Sequence, residues 1–359
     1  MSSQTQEDHR IPVAVLGATG SVGQRFVMLL ERHPWFRIEA LTASERSAGK
    51  SYGEAVDWLQ AEPLLPEIAA LPVLPTEPPL DCRLVFSALD AKAADVVEQR
   101  FAEAGHFVVS NARSHRMDPD VPLIVPEVNP DHLDLVSEQS WGEGAIVTNP
   151  NCSTIGLVLA LKPLDDAFGL VEVNAVTMQA LSGAGIPGVP SLAVIDNLVP
   201  YISGEEEKME TETLKILGSL EEGHIDPAEI AVSAQCNRVP VIDGHTECIS
   251  VSLEEEATLE EVREALASFS AEPQLLGLPT APERPIEFTE RKDGPQPRMD
   301  RDRGRGMALT IGRLRPCNLF DYKFVALSHN TLRGAAGGAL LVAELAVARG
   351  LVPQISAPA

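Results

Sequence analysis

No apolar run in the 359-residue chain reaches the roughly 18 residues that would suggest a membrane helix, and residues 1–10 lack the apolar core of a signal peptide. Those absences argue against a membrane anchor and lead to the expectation of a cytoplasmic protein. CxxC pairs are also missing: the five cysteines, at 82, 152, 236, 248 and 317, are odd in number and scattered. That spacing speaks against a disulfide scaffold and a thiolate metal centre, so reduced thiols and no metal are expected. Positive charge is scarce. With 28 Lys and Arg against 52 Asp and Glu, the formal charge of -24 disfavours nonspecific binding to nucleic acid, yet a few cations can still gather around a small anion in a cleft. Internal repeats are absent as well.

What is present begins with an apolar run at 11–16, followed by Gly17-Ala18-Thr19-Gly20-Ser21-Val22-Gly23 and a helical pattern at 24–32. This is a strand, a glycine turn and a helix. Such glycines permit a tight turn and the close approach of a pyrophosphate, whose charge the helix amino terminus would receive. The spacing is GxxGxxG rather than GxGxxG, so the motif alone also fits a structural turn. A second run at 38–42 ends without an acid placed to accept the hydroxyls of an NAD ribose. Ser44, Arg46 and Ser47 follow instead. Ser44 can donate a hydrogen bond and Arg46 can pair with a 2'-phosphate, which favours NADP; a solvated loop containing Glu45 is the alternative.

Further apolar runs at 71–74, 83–89, 106–110, 123–125 and 145–148 alternate with helical stretches, one of them at 91–104. This alternation predicts a doubly wound, mostly parallel sheet, whose ligands lie at the carboxyl ends of the strands. Arg113 sits at such an end and can make a forked contact to phosphate or carboxylate. Arg116 could do the same or simply pair with Asp118, and is expected to be mainly structural.

The stretch Asn149-Pro150-Asn151-Cys152-Ser153-Thr154-Ile155-Gly156 places a cysteine between the last of those runs and a helix start, with Ser153 as the expected cap. Cys152 would then meet the positive end of the helix, which favours its thiolate; an inert buried thiol is the plain alternative. An alternating run at 171–180 reads as a strand of a second sheet, with Val171, Val173, Ala175, Thr177 and Gln179 on one face. Gln179 can orient a carbonyl or a water, and Gly183 in the following turn allows close backbone approach. Glu205 and Lys208 open a helix on one face, which also fits an acidic solvated first turn. Arg238 could clamp a carboxylate. His245, beside Gly244 at the entry to a strand, could exchange protons with a thiol or thiohemiacetal, although a structural histidine fits too. Strands are also expected at 307–314 and 322–327, and a small-residue helix at 331–349 is expected to pack back against the first domain.

The segments GATGSVG, SNARSHRMDPDVPLIVPEVNP, NPNCSTIG, QALSGAG, NRVPVIDGH and HNTLRGAAGG, in this order, closely resemble aspartate-semialdehyde dehydrogenases of the archaeal and fungal branch. The resemblance implies an α/β fold: a Rossmann-like NADP-binding domain over 1–150, an α+β catalytic and dimerisation domain over 151–330, and a terminal segment, 331–359, returning to the first. It implies Cys152 as nucleophile, Asn151 and Gln179 as its arrangers and His245 as the acid–base residue. By the same analogy Arg238 and Glu205 clamp the amino-acid end, Arg113 and Lys208 contact phosphate, and Asn330 lies near the nicotinamide carboxamide. The implied reaction is reversible, phosphate-dependent oxidation of aspartate semialdehyde to aspartyl phosphate with NADP, feeding lysine, methionine and threonine synthesis. A homodimer or homotetramer is the implied assembly. An acyl-CoA reductase resembling malonyl-CoA reductase, or a nonenzymatic NADP-binding sensor, are the competing readings.

Overall fold

A computed structural model describes residues 9–352; the polar residues 1–8 and the end of the expected terminal segment, 353–359, lie outside it. Strands β1 (Ile11–Leu16), β2 (Phe36–Ala43), β3 (Val73–Pro75), β4 (Leu84–Ser87), β5 (Phe107–Ser110) and β6 (Ala145–Thr148) form one sheet in the order β3-β2-β1-β4-β5-β6. Every pairing in it is parallel. Parallel strands need crossovers, and β1 shows how these cover both faces. Its Val13 and Val15 join a core with Phe26, Val27 and Leu30 of the helix Ser21–Leu30, whereas Ala14 and Leu16 join a second core with Phe101 and Ala102 of the helix Ala91–Glu103. The expected doubly wound sheet is thus present.

Two local expectations differ. Residues 123–125 make only a single parallel bridge, from Leu123 to Thr148. Pro122 and Pro126 flank this run and carry no amide hydrogen, so the ladder cannot extend. The run expected at 71–74 is shifted to β3, a short edge strand ending in Pro75.

The second sheet contains β7 (Leu170–Gln179), β10 (Ala231–Arg238), β11 (His245–Leu253), β12 (Ile286–Phe288), β13 (Leu309–Pro316) and β14 (Tyr322–Ser328), while β8 (Ser219–Glu221) and β9 (His224–Asp226) form a separate hairpin. Its order is β10-β7-β11-β14-β13-β12, with both parallel and antiparallel pairs. One face is covered by the helices Cys152–Phe168, Glu205–Ile216 and Leu259–Ala267, which share a core with Val173, Ala175, Ile249, Val251 and Phe324. The period-two reading of β7 holds except at its start, where Val171 is 46% exposed. On the opposite face Asn174, Val176 and Met178 are only partly buried and Cys248 is exposed.

The expected helix at 331–349 begins as a π-helix, Leu332–Ala336, and continues as the α-helix Gly337–Ala348. Ala336, Ala339, Leu340, Ala343 and Ala346 pack in the same core as β1 and the helix Ser21–Leu30, so the terminal segment does return to the first sheet. Its small side chains allow that close approach. The glycine turn is equally tight. Gly17 has φ of +74°, and a Cβ on Gly23 would lie 2.2 Å from the Gly17 carbonyl oxygen and 2.7 Å from Ala18 Cα. Backbone cannot yield as a flexible side chain can, so Gly23→Ala should cost at least about 1–3 kcal/mol and weaken nucleotide binding by displacing the turn. A thermal melt and an NADPH fluorescence titration check this; unchanged values in both would show that the turn tolerates a side chain.

Candidate active site

Asn151, not Ser153, caps the helix Cys152–Phe168: its Oδ1 accepts from Ser153 N at 3.0 Å and from Thr154 N at 3.4 Å. An amide side chain placed before the helix can reach those free donors, which the hydroxyl of Ser153, already inside the first turn, does not. Asn151 is itself held twice. Its Nδ2 donates to Glu205 Oε2 at 2.9 Å, and its backbone N–H donates to Glu212 Oε2 at 2.7 Å. Cys152, the first residue of the helix, is thereby fixed between the two sheets.

Across from it, the end of β11 presents His245, whose Nε2 lies 3.2 Å from Cys152 Sγ. The Ala180 amide donates to His245 Nδ1 at 3.0 Å. A nitrogen that accepts from an amide carries no hydrogen, so the neutral ring keeps its proton on Nε2, directed at the sulfur. Burial pushes the His245 pKa down to about 3, with the charges of Arg238 and His329 adding to the effect. Burial likewise pushes the Cys152 thiol up to about 12; Glu205 adds to that rise, whereas Arg238, Arg116 and Lys208 oppose it. The resting pair is therefore a neutral thiol and a neutral imidazole, and the thiolate expected from the helix terminus is not preformed. Asn151 has already taken two of the amides that would have stabilised it.

The other candidates converge on the same place. Arg238 donates through Nη1 to Ala180 O at 2.6 Å, fixing the backbone that fixes His245. Gln179 is buried at the end of β7 with its side chain beside the Glu205 carboxyl, toward which its Nε2 points without forming a hydrogen bond of good geometry. Glu205 accepts from Lys208 Nζ at 2.6 Å. Burial alone would raise its pKa, but the charge of Lys208 and the side chains of Lys208, Asn151 and Gln179 hold the carboxyl below its usual range. The acidic-first-turn reading of this helix therefore gives way to a built cluster. Asn330 accepts from Gly244 N at 2.8 Å and donates to Ser182 Oγ at 2.8 Å.

A cavity of about 280 Å³ joins Asn151, Cys152, Lys208 and Asn330 to the first domain, while Gln179, Glu205, Arg238 and His245 lie behind its lining. Ser21 and Val22 of the glycine turn line one end; Arg113, Arg116 and Lys208 supply positive charge; Cys152, Gly183 and Asn330 line the reacting end. Gly183 leaves room there, since a Cβ on it would lie 3.1 Å from Arg238 Nη1 and 3.4 Å from the His245 ring. Thr19 is within the turn, where its carbonyl accepts from Gln24 Nε2 at 3.1 Å. Gly20 precedes the helix Ser21–Leu30 without a side-chain cap, so its first amides face the cavity end unclaimed by a neighbouring side chain. Ser44, Arg46 and Ser47 sit at the carboxyl end of β2, outside the cavity lining, with Ser44 and Arg46 exposed.

Two expectations about Arg116 and its neighbours are overturned. Arg116 pairs with Glu212 at 2.9 Å, not with Asp118, which instead bonds His115 Nδ1 at 2.8 Å. Arg116 is buried and lines the cavity, so it belongs to the site. Glu212 and Lys215 were not singled out in the sequence, although with Glu205 and Lys208 they fall on one helical face at spacings of three, four and three.

With this geometry in place, the likeness to known proteins falls into line. Residues 12–136 match the family of semialdehyde dehydrogenase NAD binding domains, and residues 161–333 match the semialdehyde dehydrogenase dimerisation domain. Fold and site thus define a two-domain semialdehyde dehydrogenase. The chain is 52% identical over 343 residues to the aspartate-semialdehyde dehydrogenase of Methanothermobacter thermautotrophicus, covering 93% of this chain and 98% of that one. It is 48% identical to the Saccharomyces cerevisiae enzyme of the same name over 358 residues, 94% of this chain and 98% of that one. The Candida albicans enzyme, whose crystal structure is with NADP, superposes with a TM-score of 0.90 at 46% identity, covering 95% of this chain and all (100%) of that one. The chain belongs to the aspartate-semialdehyde dehydrogenase family.

The buried imidazole sets a pH dependence of stability. An unfolded chain carries a histidine that titrates near 6.5, so between that value and about 3 it binds a proton that the folded ring does not. The contribution is complete above pH 6.5 and is lost as pH falls, at up to about 1.4 kcal/mol per pH unit. Urea titrations of wild type and H245Q should therefore show their difference in unfolding free energy moving against the wild type between pH 6.5 and 4.5. A flat difference would return the ring to its ordinary pKa.

Proposed function

We propose that this chain is an NADP-dependent, phosphorylating aspartate-semialdehyde dehydrogenase, acting in the cytoplasm, that interconverts L-aspartate 4-semialdehyde plus phosphate with 4-phospho-L-aspartate. The observation that carries the reading is the Cys152–His245 contact at the reacting end of a cavity that also contains the glycine turn and three cations. The lining suits NADP: a glycine-rich turn and an uncapped helix start at one end suit its pyrophosphate, and Ser44, Arg46 and Ser47, beyond the cavity at the end of β2, suit a 2'-phosphate. Gly17, Gly20, Ser21, Val22 and Gly23 would hold the pyrophosphate, while Gly183 and Asn330 would flank the nicotinamide. Bound NADP supplies the hydride acceptor in oxidation and the donor in reduction.

Cys152 Sγ adds to the aldehyde carbon, and its proton ends on the former carbonyl oxygen, giving a thiohemiacetal. His245 stands beside both atoms with Nε2–H directed at the sulfur. Acid–base exchange at Nε2 would require a second proton on Nδ1, where the Ala180 amide opposes it. We therefore narrow the expected acid–base role of His245 to hydrogen-bond donation toward the sulfur and the adding oxygen. Gln179, at the end of β7 beside Glu205, would orient that oxygen through its Nε2. The thiohemiacetal carbon would give up its hydride to the nicotinamide and its hydroxyl proton to solvent, which leaves a thioester on Cys152. An oxygen of hydrogen phosphate, held by Arg113 and Lys208, then attacks the acyl carbon, the C–S bond breaks, and the proton of the hydrogen phosphate passes to the departing sulfur. Arg238 and Glu205 suit the carboxylate and ammonium of the amino-acid end, respectively. Asn151 keeps the nucleophile in register.

The matched dimerisation domain supports a homodimer, and the partly exposed sheet face carrying Asn174, Val176, Met178 and Cys248 would offer a surface for it. Pairing of such dimers would give the tetramer.

Initial rates with aspartate semialdehyde and NADP, with and without phosphate, test the reaction. NADPH should form only with phosphate and should fall by at least about 1,000-fold in C152A. Release of free CoA from an acyl-CoA, with no aldehyde turnover, would instead assign an acyl-CoA reductase. Cofactor binding without Cys152-dependent turnover would leave a sensor.

A further inference from the structure

The helix Glu205–Ile216 carries two buried charges that no step above uses. Glu212 Oε1 accepts from Arg116 Nη1 at 2.9 Å, while its Oε2 accepts from the Asn151 amide at 2.7 Å. One carboxylate therefore bridges a guanidinium in the cavity wall and the residue preceding the nucleophile. Arg116 Nη2 also donates to Asn111 O at 2.8 Å, tying it to its own loop. One helical turn on, Lys215 Nζ donates to three carbonyls of that loop: Arg116 O at 2.8 Å, Asp118 O at 2.7 Å and Val121 O at 2.9 Å. Three acceptors for three ammonium hydrogens form a fully used donor set. The clamped loop leaves the carboxyl end of β5 and carries Arg113 and Arg116 into the cavity.

Burying a carboxylate and an ammonium costs several kcal/mol per ion, and their bonds here do not join them to each other. Each instead reaches out of the helix to a different segment. From this geometry we infer that Glu212 and Lys215 are positioning residues that set where the anion-binding loop stands relative to Cys152 Sγ. Glu212 fixes the spacing between the Arg116 guanidinium and the start of the Cys152 helix. Lys215 fixes the height of the whole Arg113–Arg116 turn above it. The ligand served is a small oxyanion next to the sulfur, which in the proposed reaction is phosphate, so the inference rests on that reading for its substrate.

The two parts can be tested separately. In E212Q the amide nitrogen faces either Arg116 or the Asn151 amide, donor against donor; K215M keeps the length of the stem and loses all three bonds. Both variants should raise the KM for phosphate by about tenfold or more, with smaller changes in kcat and with NADPH affinity within about twofold of wild type. A readout that needs no substrate is the alkylation of Cys152 by iodoacetate and by iodoacetamide, followed by mass spectrometry of the Cys152 peptide. The anionic reagent uses the cation-lined site and the neutral one does not, so the iodoacetate-to-iodoacetamide rate ratio should fall severalfold in each variant. A merely structural role would slow both reagents alike or lower the melting temperature while leaving the ratio in place. Should K215M fail to fold, E212Q, nearly isosteric with the native side chain, carries the test alone. A wild-type ratio in the folded variants overturns the positioning role. A wild-type enzyme indifferent to phosphate whose ratio still falls in the variants overturns the phosphate reading and keeps the positioning role.

Discussion

Every polar group that Asn151 can direct toward helix, domain and substrate loop is committed, and the rest of the site depends on that commitment. Its carbonyl oxygen on the side chain caps the Cys152 helix, its side-chain nitrogen meets Glu205, and its backbone amide meets Glu212. The first bond sets the direction of the helix. The other two set where that helix begins relative to a neighbouring helix of the second domain. A nucleophile one residue later then has little freedom, which is what a reaction requiring successive attack by two partners on one carbon needs.

The second domain supplies rigidity from another side. His245 is the first residue of β11, in register with Ser328 of β14, and its ring is oriented by a backbone amide rather than by a mobile side chain. Arg238, whose own backbone pairs with Val199, holds the carbonyl of the same Ala180. Beneath them lies the fully buried Glu247, which burial pushes well above the ordinary carboxylate range, pressed close to Gly156. A Cβ at Gly156 would stand 3.1 Å from Glu247 Oε1 and 2.9 Å from Ser328 Oγ, so a side chain there would have to push both groups aside.

The terminal segment closes the cavity from a third direction. Arg333 makes a two-pronged, fully buried pair with Glu127, at 2.7 and 2.5 Å, tying the terminal segment to the loop between β5 and β6. It stands inside the π-helix Leu332–Ala336, and the next residue, Gly334, would bring a Cβ within 2.7 Å of Cys152 Cβ. The wide turn and the absence of a side chain let the backbone pass directly over the nucleophile. Asn330 and Thr331, just before it, reach the cavity by the same route.

Much of this was legible in the chain itself. Strict local patterns announced the glycine turn, the alternation of β1 to β6, the helix behind Cys152 and the buried face of β7, because period and turn chemistry are properties of neighbours in sequence. The motifs around Cys152, Gln179, Arg238 and His245 announced the class of chemistry. Where the sequence misled, distant groups intervened: prolines kept 123–125 from forming a strand, and Glu212, 96 residues away along the chain, took Arg116 from Asp118. Burial, which no local pattern measures, left the thiol and the imidazole neutral. Neighbours along the chain thus set which elements form and which reactive side chains are at hand. Their charge, tautomer and partners were settled by folding, because those depend on desolvation and on hydrogen bonds between segments that lie far apart in the chain.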